Sequence, residues 1–442
     1  MTPLRDLTAA DAARKLAKGE MRTIEYMDDL LRAVDEREGE VQAFAHLDPA
    51  HAREQARQLD LARESGRPIG PLHGIPVGIK DIIDTADMPT ERGTPLFAGR
   101  RPGRDAAVVR LLREAGAIIM GKTVTTELAV MHPGKTRNPF NPAHTPGGSS
   151  SGSAAAVAAK MVPVALGTQT NGSVIRPASF CGVYGFKPTF GLISRTGILE
   201  ESPPLDTVGI FARSIEDIAL ITDALVAYDP TDKSMWERSR APLSPVALSE
   251  PPLPPNLAFI KTPVWGEAQE STQQAFAELR EALGERCGEI VLPADFNGVI
   301  AMHRAIMFAD IARNYGPFYD RGKDSLSPSL QRIIEEGRGV LALDYNAARE
   351  AQDLLEAQLD AVFDHYDAIL TPAAPGPAPL GLETTGSPVF CTLWTFLGMP
   401  AISLPLLEID GLPVGVQLVG QRRNDARLLR TARWLVNVLA QG

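Results

Sequence analysis

Two segments rich in glycine, serine and threonine are the places in this 442-residue chain where a serine could act as a nucleophile. The first covers residues 147–153 and the second covers residues 166–173. Within the first, residues 148–152 fit the pattern GxSxG, in which the central serine, here Ser150, is the nucleophile of an α/β-hydrolase. That arrangement needs a strand directly before the turn, and the proline-containing stretch 138–146 cannot form one. The pattern alone therefore does not assign the nucleophile.

A second pattern, at residues 116–123, matches the phosphate loop GxxxxGK[ST] letter for letter. A phosphate loop follows a strand, opens a helix and has small residues between its glycines, so that backbone N–H groups can point at phosphate. Here Ala, Ile, Ile and Met lie between the glycines and follow a predicted helix. We interpret Gly116 as a helix C-cap and the residues after it as a strand. A phosphate-binding switch that depends on Lys122 is the corresponding rival hypothesis.

Histidine and cysteine give little support to metal or disulfide chemistry. The 7 histidines show no HExxH or paired-ligand spacing, so no metal site is predicted. A Ser-His-Asp triad would have to use His303 or His365, whose surroundings resemble ordinary amphipathic helices. The cysteines Cys181, Cys287 and Cys391 are odd in number and form no CxxC pair, which favours a reducing cytoplasm.

The apolar pattern around these segments predicts an α/β fold. Apolar residues recur at helical spacing between residues 8 and 45, as expected for two amphipathic helices. Short apolar runs at 75–79 and 117–120 predict buried strands. The other predicted elements are helices over 106–115, 153–161, 270–284, 297–313 and 343–364, strands over 162–166, 257–260 and 368–370, a hairpin over 409–419 turned at Asp410-Gly411, and a closing helix to residue 439.

Three sequence blocks in this order and spacing resemble the amidase signature family. They are GIPVGIKD at 74–81, GGSSSGSAAAV at 147–157 and LGTQTNGSVIRPASFCGV at 166–183. The resemblance continues in FKPT at 186–189, LDTVG at 205–209 and GLPVGVQ at 411–417, and it runs from about residue 7 to the C-terminus. It implies the amidase signature fold, a central mixed β-sheet covered on both faces by α-helices.

The same resemblance predicts the domain organisation. We expect a single amidase domain over residues 1–442, with a signature core at 60–215 and a C-terminal lobe of the same domain at 257–442. Between them, residues 228–256 are rich in proline and charge, which predicts a linker or surface insertion.

Carried over to these positions, the resemblance makes Ser173 the nucleophile, Ser149 the bridging serine and Lys80 the base. A serine hydroxyl is a poor nucleophile until a base removes its proton. Lys80 ends a predicted apolar strand, where desolvation would disfavour its ammonium form. The alternative is a surface lysine paired with Asp81. Family members hold the bridging serine after a cis peptide bond, which here would be Gly148-Ser149.

The resemblance also predicts an oxyanion hole made of the backbone N–H groups of Thr170, Asn171, Gly172 and Ser173. Most members have Gly-Gly before the nucleophile, whereas this chain has Asn171-Gly172. Asparagine tolerates left-handed backbone conformations better than other non-glycine residues, so the loop can form. Its side chain would project near the reacting centre, where it could donate to the substrate or change which leaving groups fit.

Four further residues are candidates for substrate binding. Ser150 could assist the relay. Arg176 either anchors the loop internally or contacts a substrate carboxylate, as the related position does in a malonamide-hydrolysing member whose GTQTxGSVIRP segment this one resembles. Met131 and Trp394 could line an apolar pocket, although a lone apolar residue is more often part of the core.

The function implied by the resemblance is hydrolysis of a carbonyl–nitrogen bond in a small-molecule amide or carbamate (urethane) through an acyl-enzyme, with no cofactor. The chain is similar both to malonamidase-like amidases and to carbamate-cleaving members (urethanases). The alternative within the family is the glutaminase-type amidase subunit of a tRNA-dependent amidotransferase. A catalytically inactive binding protein is a third hypothesis, against which the presence of Lys80, Ser149 and Ser173 argues.

Charge and hydropathy limit the partners. With 44 basic and 54 acidic side chains the net charge is −10 and there is no Lys/Arg run, so we expect no nucleic acid partner. The N-terminus lacks a secretory pattern, and the most apolar stretch, 154–166, is interrupted by Lys160 and Pro163, so we expect no membrane association. The expected partner is a small-molecule substrate of a cytoplasmic protein, and a homodimer is allowed.

Overall fold

A computed structural model of the chain describes residues 3–237 and 241–440, and its centre is an 11-stranded mixed sheet. Residues 238–240 of the predicted linker and residues 1–2 and 441–442 of the predicted domain lie outside the described residues. The strands are β1 (Phe44–Leu47), β2 (Pro76–Lys80), β3 (Ile118–Thr123), β4 (Val164–Gln169), β5 (Tyr184–Lys187), β6 (Thr207–Ala212), β7 (Leu257–Ile260), β8 (Cys287–Ile290), β9 (Ala368–Pro372), β10 (Ala401–Ile409) and β11 (Leu412–Val419). Across the sheet their order is β1-β3-β2-β4-β6-β5-β10-β11-β9-β7-β8.

Helices flank this sheet, as predicted for an α/β protein. They are α1 (Ala9–Lys18), α2 (Thr23–Val41), α3 (Pro49–Glu64), α4 (Ala107–Glu114), α5 (Ser151–Ala158), α6 (Ile175–Phe180), α7 (Ile215–Leu225), α8 (Ser244–Ala247), α9 (Glu270–Leu283), α10 (Val299–Gly322), α11 (Pro328–Arg338), α12 (Ala342–Phe363), α13 (Val389–Phe396) and α14 (Asp425–Leu439). The sequence prediction lacked α3, α6, α7, α8, α11 and α13. It also ended α10 too early, since a proline inside α10, Pro317, does not break that helix.

The sheet has parallel pairings on both sides of an antiparallel middle, and its edge strand β1 is antiparallel to β3. Strand β2 pairs in parallel with β3 and β4, and β7 pairs in parallel with β8 and β9. The pairing of β5 with β10, where Ala401 is opposite Lys187, connects the strands of the signature core to those of the C-terminal lobe. All residues of β2 are buried, including Lys80 at its C-terminal end, because this central strand lies in a sheet whose faces are covered by helices.

The residues that match the phosphate-loop pattern form a strand, as interpreted above, and the lysine of the pattern is buried. Residues 118–123 form β3, and Lys122 is fully buried. Its Nζ lies 3.2 Å from Asp81 Oδ1 and donates to Thr90 Oγ1 at 2.5 Å. Asp81 therefore pairs with Lys122, and the pairing of Asp81 with Lys80, the alternative considered above, does not occur.

The small-residue helix α5 packs closely against the ends of neighbouring strands. A Cβ atom at Gly152 would lie 2.2 Å from the Ala43 carbonyl oxygen and 2.3 Å from the Val124 nitrogen. Both are backbone atoms that cannot move away independently, so only glycine fits at this position.

We predict that Gly152→Ala lowers the free energy of unfolding by about 1–3 kcal/mol, because the added methyl group overpacks a rigid backbone contact. Gly39→Ala is the matched control, since Gly39 lies in helix α2 and a Cβ there has no atom within 4 Å. It should stabilise the protein by about 0.5–1 kcal/mol through helix propensity. Denaturant unfolding of both variants checks this, and equal midpoints would contradict the packing argument.

Candidate active site

The candidate site contains a buried, hydrogen-bonded lysine–serine pair. Lys80 Nζ donates to Ser149 Oγ at 2.7 Å and to Thr168 Oγ1 at 2.9 Å. Burial lowers the pKa of Lys80 to about 7, against the opposing influence of the carboxyl groups of Glu201 and Asp206. A substantial fraction of Lys80 is therefore neutral at physiological pH and can accept a proton.

The turn that carries Ser149 is fixed on both sides of a cis peptide bond. The Gly148-Ser149 bond is cis, as the family resemblance predicts. The Gly148 carbonyl accepts a 2.6 Å hydrogen bond from Arg176 Nη2, which also donates to Thr385 Oγ1 at 3.1 Å. On the other side, Thr126 N donates to the Ser149 carbonyl at 3.2 Å. Of the two roles considered for Arg176, the internal anchor is the one that these contacts support.

The loop before Ser173 is held by a buried glutamine that the sequence reasoning missed. Gln169 Oε1 accepts hydrogen bonds from Val174 N at 2.8 Å and Ile175 N at 3.0 Å, at the start of α6. Its Nε2 donates to Thr395 Oγ1 at 2.9 Å, and that hydroxyl donates to the Asn171 carbonyl at 2.5 Å. One side chain thus fixes both ends of the loop. The signal in the sequence was a carboxamide between small residues at the end of an apolar strand.

The side chain of Asn171 is tied to helix α13. Its Oδ1 accepts a 2.7 Å hydrogen bond from Thr392 Oγ1. The next residue, Gly172, packs so closely that a Cβ would lie 2.9 Å from Pro388 Cβ. The loop can therefore accommodate the asparagine that replaces the usual first glycine, but not a side chain at its second position.

Three buried acid–base groups that the sequence did not assign surround Thr170. Its hydroxyl lies 2.6 Å from Asp206 Oδ1 and 3.0 Å from Glu201 Oε2. His303 Nε2 donates to the Thr170 carbonyl at 2.9 Å. Burial lowers the pKa of His303 to about 4, so the ring is neutral and its proton is on Nε2. His303, one of the histidines considered for a triad, thus contacts the loop backbone and not a serine.

A cavity of about 490 Å³ opens above this loop. Helices α10 and α11 provide apolar walls, and Arg304, Arg332 and Glu336 line it as well. All four residues of the predicted oxyanion hole, the last of which is Ser173, line the cavity, and so do the predicted substrate contacts Met131 and Arg176.

Two predicted substrate contacts lie elsewhere. Trp394 is fully buried in the hydrophobic core and is not part of the cavity lining, so that prediction is wrong. Of the helix α13 that carries it, Val389 and Thr392 line the cavity and Trp394 does not. Ser150 is also buried, where its hydroxyl donates to the Thr168 carbonyl at 3.2 Å and joins α5 to β4. Its contacts are structural.

The described residues contain neither a cluster of metal ligands nor a membrane-spanning helix. Within residues 3–237 and 241–440, histidine, cysteine and carboxylate side chains do not gather in groups of three or more that could bind a metal ion. Among the same residues, no helix has both the length and the apolar character needed to cross a membrane.

A large mixed sheet flanked by helices, with a buried lysine–serine pair and a cavity lined by a second serine, Ser173, defines the class of the protein as an α/β protein with a candidate serine-based site. The chain belongs to the amidase family, whose model, described as Amidase, matches residues 25–429. A glutamyl-tRNA(Gln) amidotransferase subunit of Chloroflexus aggregans (strain MD-66 / DSM 9485) is 34% identical over 489 residues, which cover 97% of this chain and 96% of that protein.

Solved structures share the whole fold. The peptide amidase from Stenotrophomonas maltophilia superposes with a TM-score of 0.84 at 29% identity, covering 98% of this chain and 97% of that chain. A chain from a vestigial protein complex, described as revealing the evolutionary origins of an s-triazine catabolic enzyme, has a TM-score of 0.90 at 26% identity over 98% of both chains. The amidase signature fold is therefore confirmed.

We predict that Thr395→Val lowers the free energy of unfolding by about 1–3 kcal/mol, because it leaves Gln169 Nε2 buried without an acceptor. Thr371→Val is the matched control, since the Thr371 hydroxyl is buried with no partner among the described residues. That substitution should be neutral or stabilising. Denaturant midpoints of both variants test this, and a Thr395→Val protein as stable as the control would refute the role given to Gln169.

Proposed function

We propose that this chain hydrolyses a small-molecule amide or carbamate (urethane), with Ser173 as the nucleophile, Ser149 as the proton relay and Lys80 as the base. The observation that carries the proposal is the 2.7 Å hydrogen bond from the buried Lys80 Nζ to Ser149 Oγ. A desolvated lysine without a hydrogen-bonded carboxylate can act as a general base near neutral pH, and in this proposal Ser149 passes the proton of Ser173 to Lys80.

The reaction then follows two stages. Ser173 Oγ attacks the carbonyl carbon while its proton moves to Ser149 Oγ, whose own proton moves to Lys80 Nζ. The tetrahedral intermediate collapses by breaking the carbon–nitrogen bond, and the amine leaves with the proton returned through Ser149. Water then adds to the acyl-enzyme and gives a proton through Ser149 to Lys80. That proton returns by the same route to Ser173 Oγ as the acyl carbon–Oγ bond breaks, which releases the acid and free Ser173.

Backbone donors are available for the oxyanion. The N–H groups of Asn171, Gly172 and Ser173 make no hydrogen bond to another residue of the described chain, whereas those of Val174 and Ile175 are used by Gln169. Unpaired donors beside the nucleophile can stabilise the negative oxygen of the tetrahedral intermediate. Removing one such donor typically costs about 3–4 kcal/mol of transition-state stabilisation.

The cavity supports a small, largely apolar substrate. Its volume of about 490 Å³ is in the usual range for small-molecule sites, and Ile300, Met307 and Phe308 contribute apolar lining. We include carbamates because they present the same carbonyl–nitrogen bond. The likeness to a peptide amidase supports an amide substrate.

The three cysteines, Cys181, Cys287 and Cys391, are free and buried, which supports a reducing compartment such as the cytoplasm. A homodimer stays a proposal.

A second candidate is the glutaminase-type subunit of a tRNA-dependent amidotransferase. It is favoured by the 34% identity to such a subunit over 97% of this chain. In that case the chain would release ammonia from glutamine and depend on partner subunits. Glutamine therefore belongs in any substrate panel, with co-purifying subunits as the independent readout.

We predict that an acyl adduct accumulates on Ser173 during turnover of p-nitroanilide amides and aryl carbamates, and that Ser173→Ala abolishes both adduct and activity. Intact-protein mass spectrometry with peptide mapping gives the result. Ser150→Ala is the control, because its hydroxyl is bound to Thr168 away from the cavity and should be dispensable for acylation. Full activity of Ser173→Ala would overturn the assignment, and turnover of glutamine alone would select the amidotransferase reading.

We predict that kcat/KM rises with pH through about 7, because the protonated ammonium of Lys80 below its pKa cannot accept the serine proton. The buried His303 has a pKa of about 4 and stays neutral across this range, so it cannot produce the rise. Lys80→Met should lower kcat by at least about 100-fold and remove the rise of kcat/KM with pH. A profile that falls between pH 6 and 8 would be incompatible with Lys80 as the base.

A further inference from the structure

The hydroxyl of Thr170 lies between two buried carboxyl groups. It is 2.6 Å from Asp206 Oδ1 and 3.0 Å from Glu201 Oε2, and both acids are buried. A threonine hydroxyl has one proton and can donate to only one of them. Two oxygens at hydrogen-bond distance in a buried site need a proton between them, so one of the two acids must be protonated.

The surroundings place that proton on Glu201. Burial raises the pKa of Asp206 to about 6, and the guanidinium of Arg195 opposes that rise. Asp206 Oδ2 also accepts hydrogen bonds from Glu201 N at 2.8 Å and Ser202 N at 3.0 Å, which favour its ionised form. Among the described residues, the carboxyl group of Glu201 hydrogen-bonds only with Thr170. Burial and the charge of Asp206 both raise the pKa of Glu201. The Thr170 hydroxyl then donates to Asp206, and Glu201 Oε2–H donates to Thr170.

This arrangement leaves one polar atom unused. Glu201 Oε1 is then a carbonyl-type oxygen that can only accept, and it has no partner among residues 3–237 and 241–440. Glu201 lines the same cavity as Ser173, and its partner Thr170 belongs to the loop that leads to Ser173. An acceptor held by a buried network at the wall of a catalytic cavity is suited to reading a donor on the substrate.

We propose that Glu201 is a specificity-determining residue whose Oε1 accepts a hydrogen bond from an N–H group of the substrate. The enzyme consequently prefers primary and secondary amides and N–H carbamates to their N,N-disubstituted counterparts. This inference rests on the proposed function. A site built to bind a donor discriminates against the analogue that lacks it, because its acceptor is left buried and unpaired.

The test compares two variants on one substrate pair. An N–H anilide and its N-methyl analogue are hydrolysed by the wild type, Glu201→Met and Glu201→Gln, and the ratio of kcat/KM for the two substrates is measured. The ratio within one preparation is independent of the folded fraction. Comparing ratios between variants also cancels the intrinsic effect of the methyl group on reactivity.

Glutamine keeps the acceptor and can donate to Thr170 as a neutral acid does, so E201Q should keep the wild-type ratio within about threefold. Methionine has no strong acceptor, so E201M should reduce the ratio by about tenfold or more, mainly through slower turnover of the N–H substrate. An unchanged ratio in E201M would overturn the proposal, as would an E201Q ratio as low as that of E201M.

The two levels of hypothesis fail in different ways. Absence of an acyl adduct on Ser173 in the wild type with both substrates would refute the proposed function. An adduct that forms normally, together with an unchanged ratio in E201M, would refute only the role of Glu201. If E201M does not fold, E201Q alone still tests the proposal. A ratio of kcat/KM in E201Q about tenfold below that of the wild type would contradict the role of Glu201 as a neutral hydrogen-bond acceptor.

Discussion

The desolvation of one lysine at the end of a central strand is the constraint on which the site depends. Two buried lysines stand on adjacent strands, and their partners differ. Lys122 on β3 lies 3.2 Å from a carboxylate, Asp81. Among the described residues, the side chain of Lys80 on β2 hydrogen-bonds instead with the hydroxyls of Ser149 and Thr168. A buried cation without a paired anion is disfavoured relative to its neutral form. The fold thus separates a structural lysine from one that can accept a proton.

A neutral lysine is useful only if the serines around it cannot rearrange. The turn of Ser149 is held through the Gly148 carbonyl by Arg176, which comes from the helix that follows the Ser173 loop. That loop is in turn held by Gln169, whose side chain bonds the first turn of the same helix and, through Thr395, helix α13. The two serine segments are therefore joined through α6, and a shift in one changes the position of the other. Side chains locked by such networks are typical of preorganised sites.

The sequence identified the parts of the site that are local and missed those that depend on distant contacts. Lys80 was recognisable because an apolar run precedes it, and both serine loops because glycine and serine concentrate there. Glu201 and His303 contact Thr170 from 31 and 133 residues away, so no local pattern could have indicated them. Trp394 was misplaced for a related reason. Every residue of α13 from Phe390 to Phe396 is buried, so apolar periodicity could not decide which face meets a cavity.

Two of the polar side chains that line this cavity, Asn171 and Glu201, have complementary hydrogen-bonding roles. Asn171 Oδ1 accepts a hydrogen bond from Thr392, so the Nδ2 group is the part of that side chain still able to bind a ligand, and it can only donate. Glu201, with its proton directed at Thr170, offers Oε1, which can only accept. A donor and an acceptor on one cavity wall match a group that carries both a carbonyl or ether oxygen and an N–H. Amides and carbamates have that pair of functions, whereas esters lack the N–H. If Glu201 holds the proton as inferred, the polar groups of this cavity therefore select for nitrogen next to the carbonyl before any covalent step begins.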